Sequence, residues 1–242
     1  MHRTSILLLV LSILLAGCGS RSISNSGYYA DSDREYSKHS DPSYKGELSE
    51  FNVLGIDPNA AVAESDIATA LATKQRFAIA KGSTIMLIQS GTMIPDDLMV
   101  KSLEKYYNVA VFTGVPQQAD SSANNYSRSL RLAAARGGAE KLVVYWGVLE
   151  TGTENLATKV VSWVPFVGGV LPDQNQRMRI RLKLAVVDVK TGQWEMFTPE
   201  AFEDVDSSGR YSRVSSDQAQ VAVLKEKGYA AAVDDLVKRY AH

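Results

Sequence analysis

The chain has 242 residues, with 26 Lys and Arg against 27 Asp and Glu, 45% hydrophobic residues, three histidines and one cysteine. That near-neutral balance excludes a general nucleic-acid or polyanion binder. His2 lies at the extreme start, His39 in a polar stretch and His242 at the end, so a folded domain without histidine is expected. Ser-His-Asp and Cys-His catalysis and the common zinc sites then drop out. The chain carries neither a phosphate-cradling loop nor a dinucleotide fingerprint. No cofactor, metal or nucleic-acid partner is expected.

The N-terminus supplies an address. Met1-His2-Arg3 is positively charged, and Ile6 to Leu15 is an unbroken apolar run apart from Ser12. A spanning helix needs roughly 20 apolar residues, so this run reads as the core of a signal peptide. Ala16 and Gly17 are small enough for a peptidase site, and Cys18 follows. The order Leu15-Ala16-Gly17-Cys18 resembles the lipobox of bacterial lipoproteins. The resemblance implies cleavage between Gly17 and Cys18, and acylation of Cys18 on its thiol and its new amine. Membrane lipid is then the first partner. One buried acyl chain anchors only marginally, whereas two or three make release slow. Gly19, where an aspartate would otherwise stand, implies by the same resemblance export to the outer membrane, facing the periplasm. Acylation would also remove the sole thiol from redox chemistry.

Three regions are expected: a signal peptide over 1–17, a lipidated flexible tether over 18–48, and one periplasmic α/β domain over 49–242. The tether is rich in Ser, Asp, Tyr and Lys and has almost no aliphatic residues, too few to bury a core. As a coil it would reach about 30 Å. Phe51 to Asp57 is a short apolar piece ending in a turn at Asp57-Pro58-Asn59. Glu64 to about Lys74 has helical spacing, with Ile67, Ala70 and Leu71 on one face. Arg76 to Ala80 fits either a helix extension or a strand.

From Thr84 the rhythm is clear. Ile85 to Gln89 is apolar throughout, as a strand buried on both faces should be. Pro95 and Asp96-Asp97 open a helix with Leu98, Met99, Leu103 and Tyr106 on its inner face. Val109 to Phe112 is the next strand. Asn124 or Asn125 begins a helix that buries Tyr126, Leu130, Ala133 and Ala134 and stops at Gly137-Gly138. Leu142 to Leu149 is a third strand. This βαβαβ spacing predicts right-handed crossovers and a parallel core. Met178 to Val189 then alternates, with Arg177, Arg179, Arg181 and Lys183 on one face and apolar residues on the other. It turns at Lys190-Thr191-Gly192 and returns over Trp194 to Phe197. A helix over about 216–240 closes the chain, with Val221, Leu224, Tyr229, Val233, Leu236 and Tyr240 inward. The fold class is therefore α/β, a mixed sheet with a parallel core, a C-terminal hairpin and a long C-terminal helix.

Lys159 to Pro172 fits neither period. It is strongly apolar, yet Pro165, Gly168-Gly169 and Pro172 interrupt it. An exposed apolar loop should be covered, by its own domain, by a partner subunit or protein, or by the lipid surface. Trp163, Pro165, Phe166 and Val167 are the candidate contact residues. Two weaker signals accompany them. Asp204, Asp206, Ser208 and Gly209 look like the start of a calcium loop, but Ser215 stands where a closing acid belongs, so a solvated acidic loop is the simpler reading. The basic row on the hairpin fits an anionic partner or, more simply, a solvated face paired with acids.

Ser129 to Gly147 (SLRLAAARGGAEKLVVYWG) followed by Met178 to Trp194 (MRIRLKLAVVDVKTGQW) resembles a group of envelope lipoproteins that includes the curli-secretion lipoprotein and the penicillin-binding-protein activator. Their domain is similar to the N-terminal domain of the TolB translocation protein. The shared features are an Ala-rich helix ending in Gly-Ala, a strand, and a Thr-Gly hairpin closing on Trp. The resemblance implies assembly or activation by binding an envelope protein or further copies of the chain, with no catalytic residues to carry over. The competing expectations are an envelope hydrolase working with carboxylates alone (Asp188, Glu195, Asp96-Asp97) and a subunit of an oligomeric secretion complex.

Overall fold

A computed structural model describes residues 21–25, 46–73, 77–115, 123–154, 161–165, 176–206 and 213–241. Its centre is a mixed sheet in which β2 (Thr84–Gln89), β3 (Asn108–Phe112) and β4 (Lys141–Glu154) run in the order β3-β2-β4, all parallel. The connections are α3 (Asp97–Glu104) and α4 (Ala123–Arg136). Strand order reverses between the two crossovers, so right-handed connections place their helices on opposite faces. Met99 and Leu103 of α3 accordingly pack with Ile85, Leu87, Val143 and Tyr145. Leu130 and Ala134 of α4 pack with Met86, Ile88, Leu142 and Val144. Burial on both faces is why β2 and the first half of β4 read as unbroken apolar runs, whereas edge strand β3 has no buried residue.

The antiparallel part begins at β4. It pairs with β6 (Gln176–Asp188) from Lys141↔Asp188 to Gly152↔Arg177, a long two-stranded core. The far edge of β6 carries β7 (Trp194–Phe197) against Leu184 to Val187 and β8 (Phe202–Asp206) against Gln176 to Ile180. β8 replaces the acidic loop expected there. Its Asp204 and Asp206 pair along the backbone with Met178 and Gln176. The stretch over Lys159 to Pro172, expected to be irregular, contributes strand β5 (Val161–Pro165), antiparallel to the end of β4. Pro165 is its last residue, and β5, paired on one side only among the described residues, is an edge strand, where a proline is tolerated.

The C-terminal helix α5 (Arg213–Tyr240) crosses the same face as α3. All six expected inward residues, Val221, Leu224, Tyr229, Val233, Leu236 and Tyr240, are buried. Each is worth roughly 1.5–3 kcal/mol of apolar burial. Gly228 sits mid-helix where a Cβ would come within 2.5 Å of Ile180 Cγ2, so the helix can lie close against β6. Tyr240 meets Phe77 and Phe197 edge to face at 5.7 and 5.9 Å. The Ile79 amide donates to the Tyr240 carbonyl at 2.8 Å. That docking makes residues 77–80 an ordered crossing segment, neither strand nor helix extension. On the opposite face lies the short helix α1 (Glu50–Leu54), burying Val53 and Leu54. α2 (Glu64–Thr73) departs from expectation, since none of its residues is buried, and Ile67 and Leu71 are 47% and 73% exposed.

Residues 18–48 are not a plain spacer throughout. Arg21–Ser22 forms strand β1 on β4, followed by a 3-10 turn over Ile23–Asn25. Ile23 is 1% exposed.

Candidate functional site

Three features converge at the C-terminal ends of the parallel strands and on the free half of the β4–β6 pair. The first is the seat of Arg21–Asn25. β4 presents Gly147 there, and a Cβ on that glycine would fall 2.8 and 2.9 Å from Ile23 Cδ1 and Cγ2 and 2.7 Å from Leu182 Cδ2. The missing side chain is the space Ile23 fills. The segment is also bonded. Lys225 Nζ donates to the Ile23 carbonyl at 3.1 Å, Gln89 Nε2 donates to Ser24 Oγ at 3.2 Å, and Ser24 Oγ donates to the Ser90 carbonyl. Ser90 Oγ in turn accepts from the Leu48 amide at 2.7 Å and donates to the Glu47 carboxylate. Ser90 thus ties both the point where the chain leaves this segment and the point where it returns.

The second feature is a polar network behind that seat. Gln89 is 1% exposed. Its Oε1 accepts from the Tyr145 hydroxyl at 2.5 Å and from the Asp96 amide at 2.7 Å. The Asp96 carboxylate caps nothing with its side chain. It accepts from Tyr229 Oη at 2.5 Å and Lys225 Nζ at 2.8 Å. Burial drives both tyrosine hydroxyls well above their ordinary range, and the Asp96 charge adds to this. Their rings meet edge to face at 5.8 Å. A buried network pays off only when its members find partners, and here each named group does.

The third is a ridge of aromatic and basic side chains. The face of the β4–β6 pair beyond Trp146 carries Glu150, Arg179, Arg181 and Lys183, and among the described residues α1 reaches it only through Glu50 at Lys183. Trp163 of β5 lies opposite Gly152, and Arg179 of β6 stacks on its ring at 4.1 Å from the centroid. Glu150, 14% exposed, accepts from Arg179 at 2.5 Å and Arg181 at 3.3 Å. Lys183 pairs with Glu50 and lies 5.7 Å from the Trp146 ring. Trp146 Nε1 donates to the Leu48 carbonyl at 2.9 Å. The basic row is therefore laced with acids across the sheet. A hollow of about 340 Å³ opens beside it, lined among others by Ser22, Glu47, Trp146, Arg181 and Lys183. A second hollow of about 640 Å³ separates α2 from the β6–β7 turn, where Trp194 is 41% exposed.

Of the residues singled out from the sequence, Trp163 and Pro165 fall on β5, and Trp163 joins this ridge. Gly17, Cys18, Phe166 and Val167 lie outside the described residues. Ile23, Ser24, Gln89, Glu150 and Lys225 were not anticipated. The one available signal was a Gln-Ser pair closing an apolar strand. Of the carboxylates of the hydrolase reading, Asp96, Asp188 and Glu195 have partners. Asp188 bonds Lys141 at 2.8 Å and the amide and hydroxyl of Thr191 at 2.7 and 2.9 Å. Burial pushes its pKa up, but these bonds outweigh it and hold the carboxyl below its ordinary value. Glu195 bonds Tyr240. Among the described residues no helix is long and apolar enough to cross a membrane.

Several solved structures share low similarity with the chain. The rare lipoprotein B from Shewanella oneidensis is 12% identical, with 64% of this chain and 92% of that one covered and a TM-score of 0.35. A PelC dodecamer from Paraburkholderia phytofirmans gives 12% identity, 63% and 91% coverage and a TM-score of 0.29. Lipoprotein GNA1162 from Neisseria meningitidis gives 11%, 60%, 98% and 0.27. Similarities of this size carry no argument about function. No curated protein matches the chain. A family profile does match, over residues 49–239, and it is not that of the curli-secretion or penicillin-binding-protein-activator group. The chain belongs to the YafT family of bacterial lipoproteins.

Proposed function

We propose that this protein is an envelope lipoprotein anchored through acylated Cys18 in the outer membrane, facing the periplasm, and that it acts by binding an envelope protein or its own copies without catalysis. The observation that carries the reading is Leu15-Ala16-Gly17-Cys18 at the end of a signal-like apolar run in a chain of a lipoprotein family. Arg181, 49% exposed, and Trp146 beside it line the hollow of about 340 Å³ and supply a binding face. Aromatic residues and arginine are the side chains that anchor interfaces best. The non-catalytic reading is supported by the partners of Asp96, Asp188 and Glu195 described above.

Cys18→Ser should move the protein from the membrane to the soluble fraction. Retention in the membrane would refute the anchor. Photo-crosslinkers replacing Arg181 should yield a discrete adduct with an envelope protein or a second copy. Purified protein that hydrolyses peptidoglycan and loses activity on one carboxylate substitution would overturn the non-catalytic reading.

A further inference from the structure

Nothing in an acylated Cys18 says how the domain stands on the membrane, and a flexible spacer would leave every orientation open. The docked segment removes that freedom. We infer that the domain lies directly on the lipid surface, with the edge of β4 where β1 and β5 meet end to end turned toward the bilayer and Trp163 at the headgroup level. The inference rests on the acylated Cys18 reading.

Strand β4 has two edges. β6 occupies one from Lys141 to Gly152. The other edge carries β2 up to Tyr145, then β1 at Val148 and Leu149, then β5 from Glu150 to Glu154. β1 runs antiparallel to β4, with Arg21 opposite Leu149. The position before Arg21 would fall opposite Glu150, and Pro165 already holds it. The chain therefore leaves the sheet at the end of β5.

Only Gly19 and Ser20 separate Cys18 from Arg21. Three residue steps reach at most about 11 Å, however they are arranged. An acylated cysteine sits at the membrane surface, so Arg21 and the end of β5 lie within that distance of it. Trp163 is two residues back along β5, about 7 Å away. Indole and guanidinium are the groups that favour the headgroup layer, where an apolar body and a polar tip are both satisfied. Trp163 carries Arg179 on its ring, and Glu150 accepts from both Arg179 and Arg181, so the indole reaches the surface beside paired charges that the headgroup layer can solvate.

The test uses the full acylated protein in vesicles of phosphatidylethanolamine and phosphatidylglycerol. Trp146→Phe with Trp194→Phe leaves Trp163 as the reporter. Lipids brominated near the glycerol end of the chain should quench it about two-fold or more, as expected of an interfacial indole. Inserting a 20-residue Gly-Ser linker between Ser20 and Arg21 keeps the docked segment but frees the domain, and should abolish most of that quenching while flotation with vesicles persists. Failure to float, or an unmodified Cys18 by mass spectrometry, overturns the anchor and this inference together. Flotation with Trp163 unquenched, or quenching that the linker leaves unchanged, overturns the orientation alone. A photo-crosslinker replacing Trp163 should label lipid, and an adduct confined to protein would also overturn it.

Discussion

Ile23→Ala is the most direct probe of the docked segment. The substitution removes three carbons from a side chain that is 1% exposed, worth about 2.4 kcal/mol at about 0.8 kcal/mol per buried methylene. The cavity adds to this, because Gly147 has no side chain with which to close it, and Leu182 must move to do so. A total of about 3 kcal/mol falls within the measured range for such truncations. That is about 100-fold in the undocking equilibrium. Amide exchange at Ser22 and Ser24, followed by mass spectrometry, should speed up by that factor, with the parallel core strands little changed. Gly147→Ala supplies the second half of a cycle. Alone it crowds Ile23 and Leu182, at about 1–3 kcal/mol. Combined with Ile23→Ala it refills part of the cavity, so the double variant should be less destabilised than the sum by about 1 kcal/mol or more. Strict additivity, or unchanged exchange in the single variant, would refute the packing argument.

Gly228→Ala should destabilise the domain by about 1–3 kcal/mol in urea denaturation, because the clash with Ile180 outweighs the gain in helix propensity. Asp188→Asn removes the partner of Lys141 and the acceptor of the β6–β7 turn, and should cost about 1–3 kcal/mol at neutral pH. The folded Asp188 carboxyl titrates below its ordinary value, so its contribution is complete above about pH 5 and fades as pH falls through the folded value. The difference between parent and variant should shrink over that acid range. Tyr145 and Tyr229 titrate well above the ordinary phenol value. Their contribution is therefore complete below about pH 10 and is lost as pH rises beyond it. Phenolate absorbance should reveal both only together with alkaline unfolding, and titration of either in the folded state would contradict the buried network. Trp163→Ala should change stability by less than about 1 kcal/mol, the scale of a cation–π contact, while weakening whatever the ridge contacts.

Much of the core could be read from residue spacing. Strands β2 and β4 announce themselves as apolar runs because both faces are covered, β3 because its Val-Ala-Val-Phe run is apolar although it is a half-exposed edge strand, and α5 because six large residues recur at helical spacing. The hairpin of β6 and β7 is visible in its alternation and in Lys190-Thr191-Gly192. The failures have physical causes. Ile23 is a lone aliphatic residue in a polar stretch, and its burial depends on the absence of a side chain at Gly147, more than a hundred residues away. β8 carries three acids in five residues and owes its strand form to the edge of β6. β5 is hidden in the sequence by Pro165, which an edge strand paired on one side only can hold. α2 has the spacing of a buried helix without the burial, since Ile67, Ala70 and Leu71 face an open hollow against the β6–β7 turn. Of the ridge, the basic row was visible, but Glu150 and Trp163 join it only through pairing across three strands.

Ser90 fastens the chain on both sides of an excursion, with Ser24 at its start and Glu47 and Leu48 at its end. A protease that cut once between these ends would sever the covalent link between anchor and domain without separating them. On the acylated Cys18 reading, what remained would be a short lipid-bearing peptide held along the edge of β4, a ligand bound to its own former domain. Release would then follow the dissociation rate of Arg21–Asn25, and a single buried isoleucine would set how long a nicked molecule stays on the membrane.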